Sequence, residues 1–370
     1  MAIGVFGGAC VAHHTVYIYD RGGQARFAQI LDVSSVRWER NRDGVSEALI
    51  VIQGSACSEQ ADILAGIEPK RSEVVIFRGS ERVWEGPVWR VAWHSQRVEI
   101  NAHDIFAYIL ETPLTQGYSN AYPAVGTVTG RIETILNHEL PVWEALTPAA
   151  NILPHVVIHH WPNEAETTAV TLPFEMTVGE HIQHLAQYSG IDFTVVGRAL
   201  HVWDVSRNLG RTRMLTEADF FSEVVITAYG SEMAATVYVI GEDGVYGMAS
   251  EPSPYYGPWT KILTAYNEEG SPLPTQEELN SQAQRNISGR LPVPVEVRVP
   301  DNSGIRLDDT LTIHDLVPGV QVPLLATLNA RRMSQLQKLD HVVVTETSAG
   351  ENIQVTLTPA TKPDDDGEED

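Results

Sequence analysis

The sequence predicts a mainly β fold with an α+β insertion, and three observations carry that prediction. Short runs in which apolar and polar residues alternate recur over residues 14–110 and again beyond residue 206. Such alternation is typical of strands with one buried face. Residues 113–206 change to the three- and four-residue spacing of amphipathic helices. Stretches rich in Gly and Pro separate these regions and favour a division into several domains.

Residues 1–112 are predicted to form an N-terminal β-barrel-like domain. One short helix is expected at residues 58–65, where Gly66 would stop it, and Asp104 can cap a second helix. Several short strands with two minor helices indicate a small barrel. The strands are expected at residues 15–19, 33–40, 45–53, 74–78 and 88–94.

Residues 113–206 are predicted to form a peripheral α+β domain. It follows a boundary at residues 112–126, which are rich in Gly, Pro, Tyr and Asn. Its apolar residues first fall at helical spacing and then, after a second helix, in the two-residue period of a hairpin. The expected elements are a helix over residues 128–140 that Pro141 ends, a helix opened by a Thr177–Glu180 capping box and closed by Gly190, and strands at 191–196 and 199–205.

The remaining chain is predicted to contain a β-rich region with a loop and a linker helix, residues 207–300, and a C-terminal β domain, residues 301–360. Residues 361–370 are predicted to be an acidic disordered tail. The linker helix would open with a Thr275–Glu278 capping box and bury one stripe, formed by Leu279, Ala283 and Ile287. Strands are expected at 222–229, 235–240, 293–299, 311–313, 324–333, 341–347 and 353–357, with Pro294 favouring a sheet edge for the third.

The charge balance limits the partners of this chain. It has 48 acidic and 25 basic residues, a formal net charge of −23. That field repels nucleic acid phosphates and anionic membranes, so sequence-independent DNA binding is not expected. No apolar run approaches the roughly 20 residues of a membrane-spanning helix. Residues 1–12 lack the basic residues of a signal peptide, so we expect synthesis in a cytoplasm and no stable membrane insertion.

The residues that bind metals or cofactors do not form a recognisable set. Two cysteines, Cys10 and Cys57, are too few for a disulfide framework or a four-ligand metal site, and buried thiols or one bridge between them stay open. His181 and His184 have the spacing of one helical face, but no Asp, Glu or Cys at matching spacing completes a site. The predicted cofactors and metal sites are therefore none. A second group of histidines is formed by His155, His159 and His160.

No catalytic residues are predicted either. His138–Glu139 begins like a zinc-protease helix, but Val142 stands where the second histidine is required. The chain has no G-x-S-x-G elbow and no phosphate-binding G-x-x-x-x-G-K loop. The acidic pairs Asp308–Asp309 and Glu242–Asp243 could serve a glycosidase, yet adjacent carboxylates in a strand point to opposite faces. We expect these pairs in turns and at the surface.

The eight tryptophans leave a sugar-binding function open, because exposed aromatic rings stack on sugars. Trp84, Trp89 and Trp93 fall on or beside strands, so we expect them in the core or at a subunit interface. Trp161 and Trp259 lie in proline-flanked, loop-like contexts and are the better candidates for exposed contact.

Several segments resemble the minor tail proteins of long-tailed bacteriophages. They are V-R-W-E-R at residues 36–40, residues 49–53, residues 73–78, and E-R-V-W-E-G-P-V at residues 81–88. The helix and hairpin of residues 177–205 are similar to the second domain of those proteins. A helix leading into a valine-rich strand and a small terminal barrel matches their last third. The likeness rests on the order of these parts.

The resemblance implies the baseplate hub fold, in which two barrel domains from each of three subunits form a six-fold-like ring. That ring would join the tail tube to the tip and line the DNA exit channel. Residues 1–112 and the β-rich region from about 206 would supply the barrels. Residues 113–206 would lie outside the ring, with 245–290 as an insertion or linker.

The same resemblance implies a structural protein of the virion tail tip with no enzymatic activity. Its expected partners are two further copies, a distal tail protein, a tape measure protein and tip or fibre proteins, with DNA only in transit. Family members that degrade cell walls carry an extra hydrolase domain, for which we expect no room here. The alternative function is that of a receptor- or glycan-binding tail component, and a hydrolase comes third.

Overall fold

A computed structural model of the chain describes residues 13–21, 25–118, 128–146, 155–158, 171–188, 191–205, 207–228, 230–241, 244–251, 255, 257–265, 275–287 and 295–360. These residues form two compact units. The first consists of Met1–Glu223, Val299–Leu325 and Leu336–Asp370, and the second of Val224–Arg298 and Ala326–Gln335.

One twelve-stranded sheet dominates the first unit. Its strands are β1 (His14–Tyr19), β2 (Arg26–Ile30), β3 (Val33–Asn41), β4 (Glu47–Gln53), β5 (Glu73–Arg78), β6 (Glu81–Trp93), β7 (Arg97–His103), β11 (Leu215–Thr216), β17 (Ser303–Gly304), β18 (Gln321–Leu328), β19 (Arg331–Thr347) and β20 (Gly350–Pro359). Neighbours pair in the order β11-β18-β19-β3-β4-β7-β6-β5-β1-β2, while β20 pairs with β19 and β17 with β20. Among the described strands this path is open, with β2 and β11 at its ends.

The alternation of residue types decides which side of each strand is buried. In β4, Ala48, Ile50 and Ile52 are buried while the residues between them are half-buried. The central pairing of the sheet joins β3 to β19, with Trp38 opposite Val344. Segments 1–112 and 301–360 therefore contribute strands to the same sheet. The division of the chain at residues 112, 206 and 300 stays a prediction.

Strand β6 explains the V-W-x-G-P-V pattern of the sequence. Its first half pairs with β5 up to Pro87, and its second half pairs with β7 from Val88 onward. A Cβ atom added at Gly86 would lie 1.9 Å from the backbone oxygen of His103. Only glycine allows the two backbones to approach so closely. Pro87 then follows at the point where the strand changes partner, where a missing N–H costs least.

The α+β part of the first unit packs two helices against a small sheet. Helices α4 (Val128–Leu146) and α5 (Val178–Tyr188) share a buried cluster with a three-stranded sheet of β8 (His155–Ile158), β9 (Ile191–Val196) and β10 (Ala199–Asp204). The predicted capping box of α5 is confirmed. The backbone N–H of Thr177 donates to Glu180 Oε2 at 2.8 Å, and that of Glu180 donates to Thr177 Oγ1 at 3.1 Å. Gly190, the expected helix cap, lies outside the described residues.

Two predictions about helices were wrong. Helix α4 runs through Pro141 to Leu146 instead of ending there. Proline inside a helix costs about 3 kcal/mol, and the buried apolar side of the preceding turns, which includes Ile132, Ile135 and Leu136, outweighs that cost by packing. The helix expected at residues 58–65 is instead two short ones, α1 (Ser55–Glu59) and α2 (Ala61–Ala65), because Gln60 leaves the helical conformation. A third short helix is α3 (Phe106–Leu110).

The second unit contains two small sheets and one long helix. A ribbon pairs β12 (Val225–Ala228) with β16 (Val295–Arg298), and a three-stranded sheet has the order β14-β13-β15. Helix α6 (Gln276–Ile287) covers one side of the three-stranded sheet with the predicted stripe of Leu279, Ala283 and Ile287. Strand bounds in that sheet are β13 (Thr236–Ile240), β14 (Tyr246–Ser250) and β15 (Thr260–Thr264).

The predicted fold class, mainly β with an α+β part, is confirmed. One expected strand is absent, because residues 311–313 form a turn region with a single bridge from Leu311 to Asp308. Short 3₁₀ turns occur at Glu217–Asp219 and Gly230–Glu232. None of the described helices has both the length and the apolar character needed to cross a membrane. The predicted acidic tail, residues 361–370, lies outside the described part of the chain.

Candidate functional site

The side chains that could suggest catalysis have structural partners instead. Glu139, from the failed protease pattern, is buried and accepts hydrogen bonds from the Thr115 backbone N–H at 3.0 Å, the Thr115 hydroxyl at 2.7 Å and the Tyr118 hydroxyl at 2.9 Å. These bonds attach helix α4 to the loop after α3.

His181, one of the two helical histidines, is a core residue of helix α5. His181 is fully buried, and neither ring nitrogen has a hydrogen-bond partner. Burial, together with the nearby Arg131 and His184, lowers its pKa to about 4. His181 is therefore neutral and packs as an apolar residue would. Among the described residues, no group of three or more His, Cys, Asp or Glu side chains is placed to hold a metal ion.

The remaining candidates are separated in space or lie outside the described residues. Asp308 accepts hydrogen bonds from Thr310 and Leu311 and pairs with Arg213 at 2.7 Å. The bonds from Thr310 are the main reason that its pKa falls to about 2, so it is an ionised turn residue and cannot act as an acid. Cys57 is a free, half-buried thiol. The predicted candidates outside the described residues are Cys10, His159, His160, Trp161, Glu242 and Asp243.

The tryptophans differ in exposure. Trp84 is buried. Trp89 is half-buried and stacks on His103 with ring centroids 4.6 Å apart, while the Lys70 ammonium lies 4.5 Å from its ring centre. Trp93 is 59% exposed and so is not a core residue of this chain, and an interface role for it stays a prediction. Trp259 is equally exposed, at 59%.

Four buried charge clusters, which no sequence motif marked, are the strongest candidates for a functional arrangement. The first joins strand β1 to strand β19. Glu346 is fully buried, and its two oxygens accept four hydrogen bonds from the backbone N–H and the Nδ1 of His13 and His14, at 2.8–3.0 Å. The indole N–H of Trp38 donates to His14 Nε2 at 3.1 Å.

The Trp38 bond determines the protonation state of His14. An indole nitrogen only donates, so Nε2 of His14 must accept, and the ring proton must lie on Nδ1, facing Glu346. Burial lowers the pKa of His14, which favours this neutral form, although Glu346 acts in the opposite direction. Beside it, Arg78 makes a two-pronged ion pair with Glu351, with both distances 2.8 Å. Together these contacts connect β1 and β5 to β19 and β20.

The second cluster surrounds Arg40 of β3, which is buried without a carboxylate partner. Its guanidinium donates to the backbone oxygens of Ile313 and Leu316 at 3.1 Å each and of Val83 at 3.0 Å. Burial lowers the pKa of Arg40 to about 10, which leaves it charged at neutral pH. The residue therefore connects β3, β6 and the turn region 311–316 through carbonyl dipoles alone.

The third cluster connects β3, β9 and β19. Asp192 accepts hydrogen bonds from Arg42 at 2.9 Å and from Lys338 at 2.8 Å. Asp43 accepts the backbone N–H of Phe193 at 2.7 Å and has a left-handed backbone with φ 58°. Burial, together with the neighbouring Asp192 charge, raises the pKa of Asp43 to about 7. The charge of Asp192 therefore favours the protonated form of Asp43.

The fourth cluster attaches the β9–β10 turn to the main sheet. Glu73 is fully buried and accepts hydrogen bonds from the Tyr108 hydroxyl and from Arg198, both at 2.8 Å. Arg198 also lies 3.4 Å from Glu85, and Arg82 pairs with Glu85 at 2.9 Å. Burial raises the pKa of Glu85, while the two arginines oppose that rise.

All four clusters fasten segments that are far apart in sequence, and their charged groups are engaged by one another or by backbone groups. Burial raises the pKa of the Tyr108 hydroxyl beside Glu73, so this hydroxyl stays protonated at neutral pH and donates to that carboxylate. The four clusters connect strands of the first unit that are distant in sequence. The sequence carried only a partial signal for them, because Arg40, Glu73, Arg82 and Glu85 lie within the segments that resemble tail proteins.

Comparison with solved structures shows which known proteins share this backbone fold. No protein-family model matches the chain, and no curated protein matches it in sequence. A 43 kDa tail protein of prophage MuSo2 from Shewanella oneidensis superposes with a TM-score of 0.59 at 14% identity, over 94% of this chain and 98% of its own. A tail protein from Neisseria meningitidis MC58 gives 0.55 at 12% identity, over 95% and 99%.

A third solved structure is larger than this chain. In the lidded Francisella PdpA–VgrG complex, a chain superposes with a TM-score of 0.53 at 8% identity, over 94% of this chain and 53% of its own. At such low identities the likeness concerns the backbone fold. The chain has the tail and baseplate hub fold that the resemblance in its sequence predicted.

Proposed function

We propose that this chain is a structural subunit of a phage-type tail tip, a minor tail protein of the baseplate hub type, which assembles as a homotrimeric ring. The observation that carries the proposal is the end-to-end likeness to two tail proteins, which covers 94–95% of this chain and 98–99% of theirs. Because the likeness covers almost all of both tail protein chains, neither of these chains contains a large further domain outside the shared fold. The ring would join the tail tube to the tip.

The buried charge clusters support a mechanical function. A hub transmits force between the tail tube and the tip, so its subunits must hold their shape. Breaking a buried, hydrogen-bonded ion pair costs about 3–5 kcal/mol, and such pairs occur at Asp192 in the third cluster and at Glu73 in the fourth. No enzymatic activity is part of the proposal.

The acidic composition supports a channel through which DNA passes without binding. A net charge of −23 repels phosphates, so a lumen lined by this chain would let DNA slide. We expect the purified protein to leave duplex DNA unshifted in a gel at about 0.15 M salt, where the Debye length is about 8 Å. Reversing lumen carboxylates to Lys should slow DNA delivery while assembly stays intact, and unchanged delivery would contradict the channel.

The location that fits this function is the tip of the virion tail, after synthesis in the host cytoplasm. There the chain would contact a distal tail protein, a tape measure protein and tip or fibre proteins. Antibody against this chain should label the tip of intact tails in electron micrographs. Labelling along the whole tail, or none on intact particles, would contradict the location.

Native mass tests the oligomeric state. One chain is 40.8 kDa, so a trimer should have about three times that mass, about 122 kDa. Electron microscopy of the same particles should show a closed three-fold ring with a central hole. A two-fold particle would contradict the ring.

A receptor- or glycan-binding tail component is the second candidate, favoured by the exposure of Trp93 and Trp259. Exposed indole rings can stack on sugar rings, and stacking changes their fluorescence. A dose-dependent quench of tryptophan fluorescence by host surface polysaccharide would support this candidate. A hub subunit should show no quench.

A further inference from the structure

One face of the three-stranded sheet in the second unit carries no charged side chain. Its nine outward positions all lie in described strands. Five are aromatic or aliphatic and four are hydroxyl residues. We call this surface the uncharged sheet face, and it consists of Tyr246, Met248 and Ser250 of β14, Thr236, Tyr238 and Ile240 of β13, and Thr260, Ile262 and Thr264 of β15.

Strand register arranges these nine residues in three rows. Tyr238 of the central strand lies opposite Met248 on one side and Ile262 on the other. Ile240 lies in the same way between Tyr246 and Thr264. Thr236 lies between Ser250 and Thr260, and its hydroxyl is 3.0 Å from that of Ser250. The apolar residues therefore adjoin one another, with the hydroxyl residues at two margins.

The opposite face of the same sheet is already covered. Val237, Val239 and Ala249 point toward helix α6 and are buried with Leu279. Because successive residues of a strand point to opposite sides, the uncharged sheet face looks away from the helix. Four of its five apolar residues are exposed, with Ile262 at 65%, while the central Tyr238 is half-buried. Half the surface of Tyr246 and Met248 is accessible as well.

The absence of charged residues distinguishes this face from the rest of the chain. One residue in five is charged overall, so a solvent-exposed group of nine would ordinarily carry about two charges. The centres of protein interfaces are depleted of most charged residues and enriched in Tyr, Trp, Phe and Met. The composition of the uncharged sheet face matches such a centre. Tyr255, 91% exposed, and Trp259 continue the aromatic character near the start of β15.

We propose that the uncharged sheet face is the apolar centre of the contact between neighbouring copies of this chain. The inference rests on the proposed homotrimer and deepens it by naming the surface involved. Its main support is charge. Each copy carries a net charge of −23, so two copies repel wherever their carboxylates approach. A surface that binds a basic partner would carry carboxylates. A surface that binds a second copy of this acidic chain should lack them.

The size of the face agrees with a ring contact. Three strands of five residues cover roughly 14 × 17 Å, or about 240 Å². A free-standing interface buries about 800 Å² on each partner, so this face can supply only the apolar centre of a larger one. In a ring of three, each contact is heterologous, so the face meets a different surface of the next copy.

Native mass of charge variants tests the proposal. Ile262→Glu and Met248→Glu each place a carboxylate at the centre of the face. We expect each to weaken trimer formation on the order of 30-fold, the effect of losing a central interface residue, so that monomer dominates where the original chain is about 122 kDa. The matched control is Leu172→Glu, which adds the same charge at an aliphatic residue of nearly equal exposure, 63%, and should leave the trimer intact.

A milder variant separates loss of contact from loss of fold. Ile262→Thr keeps the β-branched shape and adds no charge, and it should raise the trimer dissociation constant several-fold with an unchanged circular dichroism spectrum. If all three variants remain trimeric, the proposed face is wrong and the hub function stands. If the original chain is monomeric at every concentration, the self-contact is wrong, and labelling of tail tips then decides the hub function separately.

Discussion

At the scale of single residues, Glu346 shows how a buried carboxylate can fasten two distant strands. Its two oxygens receive four N–H groups from His13 and His14, and those residues are 332 and 333 positions away. Glu346 requires a proton on Nδ1 of His14, because the carboxylate can only accept, and Trp38 requires an unprotonated Nε2, because the indole can only donate. Together they fix His14 as the neutral form with its proton on Nδ1. The arrangement is a fixed hydrogen-bond network in which no ring nitrogen of His14 is available to a substrate.

Replacing Glu346 by Gln tests this network. Each oxygen of the carboxylate now accepts two N–H hydrogen bonds. In Gln an NH2 group replaces one of these oxygens and cannot accept, so two buried N–H donors would be left without an acceptor. We expect the free energy of unfolding to fall by about 2–4 kcal/mol, measured by urea denaturation. The control is Glu59→Gln at an exposed position, which should change it by less than about 0.5 kcal/mol. Equal stability of the two variants would contradict a structural role for Glu346.

Asp43 makes stability depend on pH. Its pKa is raised to about 7 in the folded chain from 3.8 in an unperturbed carboxyl, chiefly by burial. The folded state therefore keeps this proton to higher pH than the unfolded state does. The stabilisation is fully present below about pH 4 and is lost as the pH rises through 7.

Asp43→Asn fixes the neutral form at every pH, and asparagine tolerates the left-handed backbone at this position. Between pH 5 and pH 8 we expect the original chain to lose about 2–3 kcal/mol of stability that the variant keeps, as measured by denaturation at both values. Asp32→Asn is the control, since Asp32 has a similar φ of 51° and is exposed. A parallel pH dependence in the original chain and Asp43→Asn would show that Asp43 does not cause it.

At the scale of secondary-structure elements, two glycines permit backbone contacts that no other residue would. Gly86 allows strand β6 to pass from β5 to β7 against the His103 carbonyl. Gly247 of β14 lies directly under helix α6, where an added Cβ atom would be 2.0 Å from the carbonyl carbon of Leu279. Helix and strand therefore touch at the backbone, which brings the stripe of Leu279 onto the sheet.

Gly247→Ala should separate α6 from its sheet. Neither backbone can move without disturbing its own hydrogen bonds, so we expect a loss of about 1–3 kcal/mol and a thermal transition several degrees lower. Gly230→Ala is the matched control in the same unit, because nothing lies within 4 Å of its added Cβ atom and its φ is negative. That variant should be neutral or slightly stabilised. A normal transition for Gly247→Ala would argue against the close packing.

Element types were predictable from the sequence, but their partners were not. Alternation marked β4 and β13, and hydrogen bonding confirms the capping box at Thr177. The same alternation says which side of β3 is buried and nothing about which strand lies beside it. The buried charge clusters escaped prediction for that reason, since their members meet only after distant strands pair. The end of α4 was predicted wrongly at Pro141, because packing along the helix outweighs the low helix propensity of proline.

At the scale of the whole molecule, the uneven distribution of charge over the surface affects association between copies more than any single ion pair does. The chain carries a net charge of −23, yet it presents one sheet face without charge. Repulsion between copies and apolar contact at that face should therefore oppose each other. The fold class and the acidity were readable from composition and pattern, whereas the position of this face needed the strand register.

Salt should shift that balance toward assembly. The Debye length falls from about 14 Å at 0.05 M to about 4 Å at 0.5 M salt, so repulsion between copies weakens while apolar contact persists. We expect the trimer fraction in sedimentation experiments to increase over this range. Dissociation with rising salt would instead indicate a contact made of ion pairs. Sucrose at equal viscosity serves as a control for solvent effects unrelated to charge.

The pairing of β3 with β19 has a consequence for biosynthesis. Trp38 and Val344 face each other across about 300 residues of chain. A ribosome adds about 5–20 residues each second, so β3 waits roughly 15–60 s for its neighbour. During that time one edge of the nascent sheet is open, and an open edge is a template for pairing with other chains. The pairing that completes the finished sheet thus leaves the growing polypeptide open to contacts with other chains while it is translated.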